Sequence, residues 1–165
     1  MALSLFPLAC GPAEPMVVAP DATPAPPLQA SPQKDGPFTV TQVFGPHYAP
    51  GMENKVPVTM NYGGSEPVTA LALQIKLPLG WQFGGLQDGA KPAIIPETGA
   101  TDTITMVWVQ APDFPATLTY TVRVPDWAEG THTVEAQALY RSLGGERQSP
   151  VSRVTAKKAP QKNTR

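Results

Sequence analysis

The side chains able to act as nucleophiles or bases in this chain are few. There is one cysteine, Cys10, and there are two histidines, His47 and His132. Acyl transfer needs a serine or cysteine held beside a histidine that a carboxylate orients. His47 stands in a Pro/Gly-rich stretch, His132 opens an alternating segment, and Cys10 sits beside the N-terminus, so no such grouping is written in the sequence. No Gly-x-Ser-x-Gly elbow occurs. Asp88, Glu97, Asp102 and Asp113 could pair as glycosidase carboxylates or gather a Ca²⁺ ion. All four stand among turn residues, where carboxylates bond locally to the backbone, and they lack EF-hand spacing. One cysteine forms no intrachain disulfide and no multi-cysteine metal site, and two distant histidines make a poor zinc set. The reading is a non-enzyme with no metal site and no cofactor.

Binding chemistry is better represented. Trp127, in Pro125-Asp126-Trp127-Ala128-Glu129-Gly130, lies in a turn between two apolar segments. An exposed loop indole there could stack on a sugar ring or anchor a protein contact, or it could fold back over the end of the core. His47, next to Tyr48 in another turn, carries the same two alternatives. Trp81, by contrast, reads as a core-capping indole. Net charge is −1 with a pI near 6.1, which supplies no clustered cations for a phosphate backbone, so nucleic acid is excluded as a partner.

The elements that must position these residues are strands. With 21 prolines, 14 glycines and 15% charged residues, no window sustains the i, i+3, i+4, i+7 apolar spacing of an amphipathic helix. Residues 71–81 form the organising stretch. Leu71, Leu73, Ile75 and Leu77 alternate with Ala72, Gln74 and Lys76 until Pro78 stops the pairing and Leu79-Gly80 turns the chain toward Trp81. Residues 38–44 predict a first strand, and His47 to Gly51 a turn. Residues 54–62 predict a second strand, with Pro57 marking an edge or a bulge. Residues 82–102 are poorly patterned and predict one or two short strands among loops. Residues 103–110 predict a strand apolar on both faces, 117–124 and 132–140 predict clean alternating strands, 141–150 a polar hairpin, and 151–156 a last strand. Short strands separated by Gly and Pro turns predict an all-β, antiparallel, immunoglobulin-like sandwich of about seven to eight strands.

The domain is expected at residues 38–156, behind a Pro-rich stalk at 10–37 and ahead of a disordered basic tail at 157–165. The stalk carries eight of the prolines from Pro12 to Pro37, and such composition favours extended polyproline II over a packed core. Residues 1–9, Met-Ala-Leu-Ser-Leu-Phe-Pro-Leu-Ala, resemble the end of a bacterial lipoprotein signal peptide. Ala9 fits the position before the cysteine, whereas Pro7 stands where leucine is usual and the basic leading region is missing, so the segment reads as truncated. The resemblance implies lipidation at Cys10, contact with a membrane only through that anchor, and an extracytoplasmic location.

Tyr48-Ala49-Pro50-Gly51, Leu77-Pro78-Leu79-Gly80-Trp81, and Leu118-Thr119-Tyr120-Thr121-Val122 closed by Pro125 resemble a bacterial extracellular immunoglobulin-like module. Such modules occur in secreted and surface proteins, and the resemblance carries over no catalytic residues. It implies a surface-tethered binding or structural module that engages an envelope or surface protein through a sheet edge or loop. The alternative is a carbohydrate-binding accessory module that holds a polysaccharide with Trp127 and Trp81.

Overall fold

The computed structural model describes residues 37–160. They form ten strands: β1 (Phe38–Gln42), β2 (His47–Tyr48), β3 (Glu53–Tyr62), β4 (Ala70–Lys76), β5 (Gln82–Gly89), β6 (Thr103–Trp108), β7 (Ala116–Arg123), β8 (Thr131–Ser142), β9 (Gly145–Gln148) and β10 (Ser152–Lys158). A four-stranded sheet, β1-β3-β7-β5, packs on a second sheet, β2-β10-β8-β4-β6, to which β9 is added on β8. All pairs are antiparallel except β2 with β10. The architecture is the expected immunoglobulin-like sandwich. Its two additional strands are the short β2 and β9.

The core lies between the sheets and is built by alternation. Leu71, Leu73 and Ile75 of β4, Ile104, Met106 and Trp108 of β6, and Val134, Ala136, Ala138 and Tyr140 of β8 face Val56, Val58 and Met60 of β3 and Leu118, Tyr120 and Val122 of β7. β4 is paired on both sides, by β6 and β8, so its apolar face is the floor of the core. Rings close each end. Phe44, Tyr48, Trp81 and His132 cluster at one pole, and Phe38, Tyr62, Phe114 and Tyr140 at the other. Trp81 is fully buried, as expected of a capping indole. Burial of a large apolar side chain contributes about 1.5–3 kcal/mol.

One buried polar chain joins the sheets. The Tyr120 hydroxyl donates to Gln42 Oε1 (3.1 Å), and Gln42 Nε2 donates to the Ser152 carbonyl of β10 (3.2 Å).

Several local expectations are corrected. Pro57 lies neither in an edge strand nor in a bulge, because β3 is paired with β1 and β7 without a break in register. The Pro57 carbonyl accepts the Val43 N–H (2.9 Å), but a proline has no N–H to return to Val43, and β1 stops at Gln42 instead of 44. The proline therefore sets the end of its neighbour. His47 and Tyr48 are a short strand, not a turn, because the buried Tyr48 hydroxyl bonds the Gly130 carbonyl (3.1 Å) and pulls the segment onto β10. In the poorly patterned stretch, β5 is a single strand with two register shifts, which break its alternation. Lys157 and Lys158, expected in the tail, belong to β10.

Registers fix the poles. Phe38 lies opposite Tyr62, and Met60 opposite Ala116, at one end, whereas Glu53 lies opposite Arg123 at the other. β10 ends at this second pole, where the Lys158 N–H bonds the Gly130 carbonyl and the Ala159 N–H bonds the Tyr48 carbonyl (3.0 and 2.8 Å). The chain enters the sandwich at one pole and leaves it at the opposite one.

Candidate binding surfaces

Three turns meet at the exit pole. Ala49 to Met52 closes with a Met52 N–H to Ala49 carbonyl bond (3.3 Å), Pro78 to Trp81 with Trp81 to Pro78 (3.0 Å), and Pro125 to Ala128 with Ala128 to Pro125 (3.0 Å). Gly51 and Gly80 each stand at the third position of their turn with φ of 75° and 77°, a conformation that favours glycine. Backbone bonds join the first turn to the strand leading into the third. The Gly51 N–H donates to the Val124 carbonyl, and the Val124 N–H to the Met52 carbonyl, both at 3.0 Å. A Cβ added at Gly80 would collide with the six-membered ring of Trp127.

Trp127 therefore does two things that the sequence left as alternatives. Its ring lies against Gly80, and it remains 61% exposed. Beside it on the other two turns stand Leu79, 77% exposed, and Met52, 59% exposed. Ala128, the next residue, is fully buried and pins the turn. Charges ring the pole. Glu129 pairs with Lys158, the Asp126 carboxylate lies close to Gly51, and Lys157 is exposed on β10. Burial, and secondarily the Glu129 charge, push the Tyr48 hydroxyl above the usual tyrosine range, with Lys158 opposing.

His47 is exposed on β2, opposite Lys157. Among the described residues no hydrogen bond or ring contact joins it to Trp127. The other histidine, His132, is wedged against the Tyr48 and Trp81 rings, both at 5.5 Å between centroids. Cys10 lies outside the described residues. No group of three His, Cys, Asp or Glu comes together among the described residues to hold a metal. Asp88 is a residue of β5, paired opposite Thr119, and Asp102 uses its carbonyl to accept the Leu77 N–H (2.7 Å).

A second surface was not anticipated. Val107 of β6, Ala72 of β4 and Leu139 of β8 are direct cross-strand neighbours on the outer face of the larger sheet. Ile94 extends the row by bridging to Val107 beyond the edge of β6, and is 57% exposed. Four apolar side chains thus run in register across the sheet. On one side the next row is Thr105, Gln74 and Gln137, followed by Thr103, Lys76 and Glu135. A shallow depression of ≈ 160 Å³ is lined by Gln74, Lys76, Thr103, Glu135 and Gln137, with Ala136 and Val151. On the other side stand exposed Val109 and the Arg141–Glu146 ion pair. An apolar centre with a polar rim is the anatomy of a protein contact. The sequence held its traces in the two-sided apolarity of 103–110 and in Ala93-Ile94-Ile95, but only strand pairing aligns them.

No protein-family model matches the sequence, and no curated protein matches it either. Solved structures do share the fold. One is the cohesin module from a family 33 glycoside hydrolase of Clostridium perfringens, with a TM-score of 0.56 and 11% identity over 77% of this chain and 100% of that one. Another is the full-length major pilin SpaD from Corynebacterium diphtheriae, with a TM-score of 0.51 and 8% identity over 70% of this chain and 35% of the pilin. A third is a non-cellulosomal cohesin from the hyperthermophilic archaeon Archaeoglobus fulgidus, with a TM-score of 0.50 and 16% identity over 74% and 93%. At such identities the likeness is one of architecture, and function has to be argued from the surfaces.

Proposed function

We propose that this chain is a non-enzymatic, extracytoplasmic binding module, tethered by lipid at Cys10 through the Pro-rich segment 10–37, that engages another envelope or surface protein. The observation that carries this reading is the in-register row Ile94, Val107, Ala72 and Leu139 with its polar rims. It provides a contact on β4 and β8, each held by neighbours on both sides, and on the edge strand β6, whose free side carries the Ile94 bridge. The fold it shares with cohesin and pilin modules is consistent with that role. The stalk residues, at about 3.1 Å each when extended, would hold the sandwich well clear of its anchor.

The polysaccharide reading has weaker support. Trp127 is the only exposed Trp, Tyr or Phe among the described residues, and a lone indole between Leu79 and Met52 is a poor platform for successive sugar rings.

A photo-crosslinking amino acid placed at Leu139 in intact host cells tests the contact, with one at Thr119, on the opposite sheet, as the control. A discrete protein adduct is expected at Leu139 alone. It should disappear on Val107→Arg, and adduct yield should fall with Cys10→Ala as the tether is lost. Equal adducts from both positions, or none from Leu139, would remove the protein-contact reading.

A further inference from the structure

We infer that the surface protein engaged by the apolar row is a second copy of this chain, packed face to face about a two-fold axis that runs along the strands and crosses the row between Ala72 and Val107. This deepens the proposed function and rests on its reading of the row as a protein contact.

A two-fold contact has to be self-complementary: if one residue meets another across it, the second meets the first in return. The row satisfies that demand. Its order across the sheet is Ile94, Val107, Ala72, Leu139, and an axis at its midpoint lays Ala72 of each copy against Val107 of the other, and Leu139 against Ile94. A single methyl and a branched side chain share the centre, and the larger side chains close the ends. The flanking rows follow the same exchange, because β4 and β6 keep one register, with Gln74 opposite Thr105 and Lys76 opposite Thr103. Across the axis Gln74 meets Thr105 of the second copy, an amide against a hydroxyl. Lys76 meets Thr103 and not the second Lys76. On the other side of the row Ala70 and the exposed Val109 again offer a small residue to a branched one. Stacked sheets hold their strands within about 30° of each other, so the pairs nearest the axis are the ones that set the fit.

Charge, size and the sheet edge agree with this occupant. Arg141 is neutralised by Glu146, and Glu135 by Arg153, within each chain, so the face sets up no strong field that would select an oppositely charged partner. The depression beside the row holds ≈ 160 Å³, below the roughly 300–1,000 Å³ of small-molecule sites. Pairing along the free edge of β6 is obstructed at Val107, whose N–H and C=O are both taken by Ile94 (3.0 and 3.1 Å), which leaves the face and not the edge as the route to association. Four strand positions, from Ile94 to Leu139, and four rows, from Ala70 to Lys76, make a face of roughly 500 Å² per copy at about 4.8 Å between strands and about 6.7 Å between rows. Two such faces bury about 1,000 Å², the threshold of a specific contact. The dimer is therefore weak and reversible.

Sedimentation equilibrium of the full chain over a wide range of concentration tests this, with a reversible monomer–dimer equilibrium expected. Val107→Arg and Ala72→Asp each place two unpaired charges in the contact, and each should weaken the dimer on the order of tenfold or more. Both positions lie on the outer face, so urea midpoints close to that of the parent chain will show that the fold is kept. Mixing the two variants should restore a dimer, because the new guanidinium of one chain then faces the new carboxylate of the other; no heterologous partner and no other axis gives that rescue. A parent chain that stays monomeric throughout overturns the inference. So does a dimer that Val107→Arg leaves intact, which would place association elsewhere, the apolar residues 1–9 included, and so does a mixture that stays monomeric. The Leu139 crosslink separates this inference from the reading it rests on. An adduct of a mass other than twice the chain, with a monomeric parent, overturns the second copy and leaves the protein contact standing, whereas the absence of any Leu139 adduct removes both.

Discussion

Gln42 and Tyr120 form the buried polar link between the sheets, and their energetics can be worked out atom by atom. In Tyr120→Phe the ring stays, and Gln42 Oε1 loses the donor it holds at 3.1 Å. An orphaned buried acceptor costs about 1–3 kcal/mol. Gln42→Leu removes both bonds of the amide, leaving the Tyr120 hydroxyl and the Ser152 carbonyl without their partner. Its cost should lie at or above the top of that range, because the Tyr120 hydroxyl is fully enclosed. The double variant no longer contains either member of the Tyr120–Gln42 bond, and one desolvation penalty disappears from the sum. The two substitutions should therefore be less than additive by about 1–2 kcal/mol. Equilibrium urea unfolding of the four proteins measures this, with equal m-values showing that the denatured state has not changed. Additivity to within about 0.5 kcal/mol would mean that the buried amide and hydroxyl find other partners, and the two-sheet link would be withdrawn.

Gly80→Ala and Gly99→Ala both place a Cβ on a residue of positive φ, 77° and 93°, at about 1–2 kcal/mol each. Only at Gly80 does the methyl meet an indole, so only that variant should also shift Trp127 emission; equal spectra would show that the ring does not rest on Gly80. Stability should also fall in alkali. Burial raises Tyr120, Tyr48 and Tyr140 above the usual tyrosine value. Their neutral forms are favoured in the fold, so this contribution is whole below about pH 10 and drains away as pH rises through the folded values. Tyr120→Phe should reduce the slope of stability against pH there by up to about 1.4 kcal/mol per unit, and an unchanged slope would contradict the burial. On the acid side, the adjoining Ser142 hydroxyl, the Gly144 N–H (3.1 Å) and the Arg147 guanidinium hold the Glu66 carboxyl below the usual range. That contribution is present above the ordinary glutamate value and lost as pH falls through the folded one. Glu66→Gln should flatten the acid limb, and an unaltered limb would count against it.

What could be read from the residues alone was whatever is encoded locally. The alternation of Leu71, Leu73 and Ile75, the stops at Pro78 and Pro125, and the glycines at the third positions of their turns act over a few bonds, so the strands and turns around them are legible without knowing their neighbours. Trp81 could be placed in the core because apolar alternation runs directly into it. Residues 103–110 could not be oriented in the same way, since both faces are apolar. Trp108 faces inward and Val107 outward because the smaller sheet lies on one side only, a fact held by no local stretch. Pro57 was misread for the same reason. Whether a missing N–H matters depends on where β1 ends, beside Val43, fourteen residues before Pro57 and beyond the reach of any local rule, and pairing alone decides it. The tertiary structure also decided both surfaces. Ile94, Val107, Ala72 and Leu139 become one row through the registers of three strand pairings, and Met52, Leu79 and Trp127 become one tip because three turns end at the same pole. Cross-strand registers and the packing of one sheet on the other are set by the burial of the whole core, which is why neither the row nor the tip could be seen before the chain was folded.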